Sequence, residues 1–264
     1  MLYYPQLTTG AVSQFPVTRG INMRTVANQL PSGYTIRMAD TGAQKVQWRL
    51  QYSSLTDGER SSIESLFEAS QGQLDTFTFL DPVDNLLVWS EDWTQTVWTA
   101  DPLLQVTGGV QDALGGSSAM QLTNTAQTTQ QIVQNTSGPS GFVYCYSVYV
   151  RSAVPATIQL VVTATGQTAL TAVTTSSSWT RVTASGNLSV QQEGIGFGVQ
   201  LPAGVQVDAF GAQVEAQPGA GLYKKTIDLG GVYSSTRFST DLLLITATAP
   251  NQNSCQIDLI SSLN

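Results

Sequence analysis

The chain has 264 residues, 41% of them apolar and only 11% charged, with 11 basic against 18 acidic side chains and a net charge of −7. At about 150 residues per domain this length predicts two modest domains, and the acidic balance argues against a protein whose affinity comes from neutralising nucleic-acid phosphates. Histidine is absent and cysteine occurs twice, which excludes Ser-His and Cys-His catalysis, zinc fingers and a disulfide framework.

In chain order, the first clear element is residues 45–52, where Val46, Trp48, Leu50 and Tyr52 alternate with polar neighbours as on a half-buried strand. Thr56-Asp57-Gly58-Glu59 then has the spacing of a capping box, in which the Thr56 hydroxyl and the Glu59 carboxylate each satisfy a backbone N–H at a helix start. Ile63, Leu66 and Phe67 follow at helical spacing, and Gly72 is placed to stop the helix. Residues 74–80 read as a strand with Phe77 and Phe79 on one face, ended by Asp81-Pro82.

The composition then changes. Residues 84–223 carry two basic side chains, Arg151 and Arg181, against eight acidic ones, a balance of −6, whereas the flanks are close to neutral. Within this middle, residues 142–150 put Phe142, Tyr144, Tyr146, Val148 and Val150 on one face and Val143, Cys145, Ser147 and Tyr149 on the other. Residues 157–163, 180–183, 196–201 and 205–214 are similar short β-rich runs between turn residues, as in an antiparallel sandwich of the jelly-roll kind. Residues 242–247 and 256–260 flank the turn cluster Ala249-Pro250-Asn251-Gln252-Asn253 and read as a closing hairpin. A lone hairpin is marginal, so it is expected to complete the sheet begun before residue 83, with residues 83 and 225 close in space.

The predicted fold class is therefore mainly β. A split β-barrel or sandwich platform with one α-helix (1–84 and 224–264) carries an inserted jelly-roll β-sandwich (85–223). The N-terminal MLYYPQLTTG lacks a basic region followed by an apolar run, and no stretch of eighteen apolar residues occurs. Neither membrane insertion nor classical secretion is expected.

Residues 47–82, QWRLQYSSLTDGERSSIESLFEASQGQLDTFTFLDP, resemble the strand-helix-strand block of the distal tail and minor tail proteins of long-tailed bacteriophages. Residues 4–19 and 230–261 resemble the opening and closing segments of the same family. In the middle, NLLVWSEDW (85–93), Trp98, YSVYVR (146–151), SWTRVT (178–183) and AFGAQVEAQPGAGLYKKT (209–226) resemble the jelly-roll carbohydrate-binding modules of phage tail and spike proteins. The pair of resemblances implies a virion structural protein, not an enzyme. It would assemble in the bacterial cytoplasm into a ring, commonly a hexamer, join the tail tube to the baseplate or hub, and offer a module to host-surface polysaccharide.

Four of the five tryptophans, Trp89, Trp93, Trp98 and Trp179, lie in the middle module. A flat aromatic covers the C–H face of a sugar without desolvating its hydroxyls, which makes Trp93, Tyr149 and Trp89 the candidate ligand-binding residues. Trp98 and Trp179 are read as core, and Trp93 and Tyr149 as the more exposed. Glu91, Asp92, Glu193, Asp208 and Glu215 are the acids available to glycoside hydrolysis, which needs two carboxylates across a cleft; here they are read as solvated surface groups. No metal or cofactor is expected; the alternative weighed against that is a structural Ca²⁺ held through oxygen ligands by Asp208 and Glu91. Cys145 and Cys255 are read as buried small hydrophobes. The competing reading is a stand-alone glycan-binding or glycan-cleaving protein with the flanks as scaffold, and a plainer one makes the jelly roll a spacer or clamp.

Overall fold

Thr56 opens the helix α1 (Asp57–Ala69) with both halves of the capping box present, Glu59 N–H donating to Thr56 Oγ1 at 3.2 Å and Thr56 N–H to Glu59 Oε2 at 2.8 Å. The helix ends where Gln71 and Gly72 take left-handed backbone angles and Gly72 N–H returns to the Phe67 carbonyl. Its inner stripe, Ile63 and Leu66, is buried, and Phe67 packs edge-on against Phe238 at 5.0 Å.

The computed structural model describes residues 1–263. Residues 1–8, 13–79 and 233 onward make one unit. Its six-stranded antiparallel sheet runs Val17–Gln29 (β1), Thr35–Leu55 (β2), Gln252–Ser262 (β16), Val232–Phe238 (β14), Phe77–Leu80 (β3), with Ile245–Ala249 (β15) paired to the start of β16. The two flanks of the sequence thus share one sheet: Ile257 lies opposite Leu50 and Leu259 opposite Trp48. Val46, Trp48, Leu50 and Tyr52 are all buried, as their alternation predicts, and Tyr4, Trp48, Phe79 and Tyr233 form a chain of ring contacts beneath α1 and the sheet. The sheet does not close into a barrel. Residues 2–4 cover the β3 edge through Tyr4 N–H to Thr78 O and Thr78 N–H to Leu2 O, while β1 forms the other edge. The hairpin is real but shifted: its strands are β15 and β16, and Leu242 and Leu244, read as strand from their hydrophobicity, lie in an exposed loop held by Asp241, which accepts from Gln73 N–H at 2.9 Å.

The second unit comprises residues 9–12 and 80–232. Two five-stranded antiparallel sheets face one another. One has the order Trp98–Ala100 (β4), Gln130–Pro139 (β7), Glu193–Leu201 (β12), Thr157–Ala164 (β9), Gln167–Thr174 (β10). The other runs Leu104–Val110 (β5), Ala119–Asn124 (β6), Gln206–Glu215 (β13), Tyr144–Arg151 (β8), Thr180–Gly186 (β11). Successive strands switch repeatedly between the sheets, the connectivity of a jelly roll. Tyr144, Tyr146, Val148 and Val150 of β8 point inward, and Phe197 of β12 meets the rings of Tyr144 and Tyr146 at 5.4 and 6.1 Å. The five runs read from sequence are β8, β9, β11, β12 and β13; β4, β5, β6, β7 and β10 carry too many Thr, Gln and Gly to show an apolar alternation. Gly198 is forced by close packing, since a Cβ there would stand 1.8 Å from the Ile132 carbonyl oxygen of β7.

The incoming and outgoing ends of the sandwich are bound together by Asn85, which is fully buried. Its Nδ2 donates to the carbonyls of Ala212 (2.9 Å) and Lys224 (3.2 Å), its Oδ1 accepts from the N–H of Leu87 (3.1 Å) and Val214 (2.9 Å), and its own carbonyl accepts from Gly231 N–H (2.7 Å). Residues 81–85 and 224–231 therefore run side by side. Asn85→Ala strands two buried N–H groups and two carbonyls, and the expected cost is on the order of 3 kcal/mol in denaturant unfolding of the sandwich. A loss under about 0.5 kcal/mol would show the clasp to be dispensable.

Candidate functional site

Residues 89–92 turn sharply between the incoming segment (residues 81–88) and β4. Trp89 sits at φ 49°, a left-handed conformation that a bulky side chain adopts only under constraint. The constraint is visible: Trp89 N–H donates to the Ile227 carbonyl at 2.7 Å, and its own carbonyl accepts from Trp98 Nε1 at 3.1 Å and from Asp92 N–H at 3.2 Å. This turn presents a half-buried indole at the wall of a cleft of about 240 Å³, lined also by Glu91, Asp92, Ser118, Met120, Lys225, Thr226 and Ile227.

The charged groups of the cleft are held in place. Glu91 accepts from the Tyr223 hydroxyl at 3.0 Å and pairs with the Lys225 ammonium. Burial raises the Tyr223 hydroxyl well above the ordinary tyrosine range; the bond from Ser90 pulls the other way and the neighbouring Glu91 charge adds to the rise, so Tyr223 is a fixed donor. Asp92 accepts from Gln95 Nε2 at 2.7 Å and from the Thr94 hydroxyl and N–H, and these bonds hold its carboxyl below the usual range. Ser118 belongs to a loop folded around Asp112, whose carboxylate accepts the N–H groups of Leu114, Gly116 and Ser118; burial opposes its ionisation, but these bonds outweigh burial and lower its pKa.

Of the residues singled out by sequence, the structure brings Trp89, Glu91 and Asp92 to one cleft. Trp93 is corrected: it is 2% exposed, stacks on Trp98 at 4.7 Å with rings 18° apart, and gives its Nε1 proton to the Ser90 carbonyl, so it fills the core beneath the turn. Its position four residues after Trp89 and five before Trp98 places it under the turn. Tyr149 does lie on the face opposite Val148 and Val150, half-buried, but its ring meets Phe210 at 6.0 Å and Tyr223 at 6.3 Å, and Arg181 stands 5.6 Å over it. It stands behind Tyr223. Trp98 is core as read, whereas Trp179 is half-buried under the Arg151 guanidinium at 4.6 Å.

Asp208 lies on β13, where it accepts from Arg151 Nε at 2.9 Å. Glu91 and Asp208 thus each have a cation of their own, and no group of three acidic or thiol side chains suited to a metal ion occurs among the described residues. Glu215 is corrected from surface to interior: it is 1% exposed and accepts from Gln213 Nε2, Gly221 N–H and Lys224 Nζ. Cys145 is buried and Cys255 half-buried, and burial pushes both thiols up to about 11. Sequence reasoning missed Ser118, Met120, Lys225, Thr226 and Ile227. The basic pair Lys224-Lys225, after 42 residues without a cation, was the available signal, but it fell beyond the boundary drawn at 223.

Because Trp93 is packing rather than surface, Trp93→Ala is expected to cost about 3–5 kcal/mol of stability, read by thermal or denaturant unfolding. An unfolding midpoint equal to that of the unmodified chain would return Trp93 to the surface.

No protein-family model and no curated relative matches the chain. Among solved structures it is similar to the CBM22-1 xylan-binding domain from Paenibacillus barcinonensis Xyn10C, with a TM-score of 0.42 and 17% identity over 53% of this chain and 99% of that one. It is similar also to TmCBM61 in complex with beta-1,4-galactotriose, with a TM-score of 0.37 and 17% identity over 49% of this chain and 97% of that one. A third similarity is to the enzymatically active domain of bacteriophage CBA120 tailspike protein 4, with a TM-score of 0.37 and 9% identity over 52% of this chain and 22% of that one. At identities this low, no residue of the cleft is carried over from any of them.

Proposed function

We propose that the chain is a non-catalytic glycan-binding protein whose β-sandwich takes a sugar unit of a host-surface polysaccharide into the Trp89 cleft. The observation that carries this reading is the constrained turn that holds the Trp89 indole beside fixed polar groups, Glu91, Asp92, Ser118 and Lys225, in a space of about 240 Å³. An apolar plate with convergent hydrogen-bonding groups is the chemistry a pyranose ring needs. The same contacts argue against the glycan-cleaving alternative. Glu91 is committed to Tyr223 and Lys225, and Asp92, with its depressed pKa, is a poor general acid.

The wider setting we propose is the tail tip of a bacteriophage virion, with the protein forming a ring, a hexamer, between tail tube and baseplate or hub. Two things support it: the resemblance of both flanks to distal and minor tail proteins, and the single sheet that those flanks build together, from which the sandwich is an insertion.

Trp89→Ala is expected to weaken binding to a responsive polysaccharide at least about tenfold, while Trp89→Phe keeps most of it, both read by glycan array and titration calorimetry with unfolding midpoints as control. Equal binding by all three proteins removes the cleft from the reading. For the setting, an epitope inserted in the exposed Thr165-Gly166 turn is expected to be labelled at one end of the tail in electron micrographs of purified particles. Unlabelled particles leave a stand-alone lectin.

A further inference from the structure

β10 (Gln167–Thr174) is the last strand of its sheet, and β9 is its one partner strand among the described residues. The two pair without a bulge from Gln167 opposite Ala164 to Thr174 opposite Thr157. Just beyond, Thr175 N–H donates to the Ala156 carbonyl at 2.9 Å in the same register. Main-chain groups alternate in direction along an antiparallel strand, so the odd-numbered residues bond to β9, while Thr168, Leu170, Ala172 and Thr174 turn their N–H and C=O groups outward. Residues 168–172 are exposed on both faces of the strand, Leu170 to 50%.

A free edge of this kind is a template for another strand, and proteins ordinarily blunt it by shortness, a bulge, a charge or a proline. The other edges of the two sheets are blunted in these ways: β4 has three residues, β5 is irregular between Thr107 and Val110, and β11 carries Arg181. β10 has none of these devices, and residues 152–180 contain no charged side chain in a chain of −7. The sequence of residues 168–174, TALTAVT, is also complementary to itself. Laid antiparallel on a second copy with Thr171 opposite Thr171, it sets each threonine on a threonine, Leu170 on Ala172 and Val173 on Ala169, so that a large side chain always meets a small one. The same register brings the outward main-chain groups of Thr168 to those of Thr174, and those of Leu170 to those of Ala172. Each such pair exchanges two hydrogen bonds.

We propose that β10 pairs antiparallel with β10 of a second copy about a twofold axis through Thr171, joining two five-stranded sheets into one continuous sheet. The same patch is used by both copies, so the contact closes at two and does not propagate. A strand edge alone buries less than the roughly 1,200 Å² of a standard interface, so the association is reversible and follows concentration. It is a property of the sandwich by itself and goes beyond the proposed function, requiring neither a sugar nor a tail.

The test places charges at the axis of the full-length chain. Thr171→Lys and Thr171→Glu each set like charges directly opposite one another, whereas a mixture of the two sets Lys against Glu. Thr171 is exposed, so circular dichroism and unfolding midpoints are expected to match the parent. In sedimentation velocity at about 100 µM the parent is expected to self-associate, each variant alone to do so at least about tenfold more weakly, and an equimolar mixture to recover the association of the parent. Independently of any variant, the amides of residues 168–174 in the parent are expected to gain protection from hydrogen exchange between about 1 and 100 µM. A parent that stays monomeric over this range, with unchanged exchange, overturns the pairing. Association that both variants keep overturns it too and assigns the self-association to another surface, and a mixture as weak as its components overturns the register on which the pairing stands.

Discussion

Four side-chain hydrogen bonds on one buried asparagine decide how this chain can be organised. Asn85 lies where the chain leaves the platform sequence, and it reaches β13 and the outgoing segment at once. A carboxamide suits the position because it offers donors and an acceptor on one short stem, so backbone groups from three segments are satisfied without a charge being buried. Ser90 repeats the device a few residues on: its hydroxyl accepts from Thr226 N–H and shares a proton with Tyr223, and its carbonyl accepts from Ala212 N–H and Trp93 Nε1. The cleft is built on this clasp. Trp89 lies between Asn85 and Ser90 and owes its unusual backbone to the bond with Ile227 on the outgoing segment.

The parts of the fold legible in sequence were those whose signal is local or periodic. The capping box of α1, the buried alternation from Val46 to Tyr52, and the inward face of β8 each rest on residues within a few positions of one another. The strands that went unseen fail that test. In β10 the sequence QTALTAVT is exposed at nearly every position, because the strand closes one end of its sheet and buries little. In β1 and the first half of β2 no core face exists to impose a period, so this hairpin reads as polar chain. Conversely, Leu242, Leu243 and Leu244 read as strand because hydrophobicity alone does not distinguish a residue buried in a sheet from one left at the surface.

The cleft was half legible. A cluster of tryptophans and acids at 89–93 marks the right turn, but sequence cannot tell which of two indoles four residues apart faces out. The structure separates them by hydrogen bonding: Trp93 and Trp98 both place their indole N–H on main-chain carbonyls and stack, which uses up their polar atoms indoors, while Trp89 contributes its main chain to the turn and its ring to the wall. The far wall comes from β6 and from the outgoing segment, more than 100 residues away in the case of Lys225, and no local pattern announces a partner at that distance.

The clasp also bears on the order in which the molecule can be assembled. In an extended chain, pairing β2 with β16 means closing a loop that includes the whole sandwich, roughly 200 residues from Leu55 to its partner Asn253, with an entropy cost that grows as the logarithm of that length. Once Asp81 N–H has bonded to Gly231 O, the free span shrinks to about 50 residues, and the closure becomes about 1 kcal/mol easier. A sandwich that folds first therefore delivers the two halves of the platform to each other as near neighbours, and a stretch of sequence that looks like an interruption works as the splint that lets the interrupted sheet form.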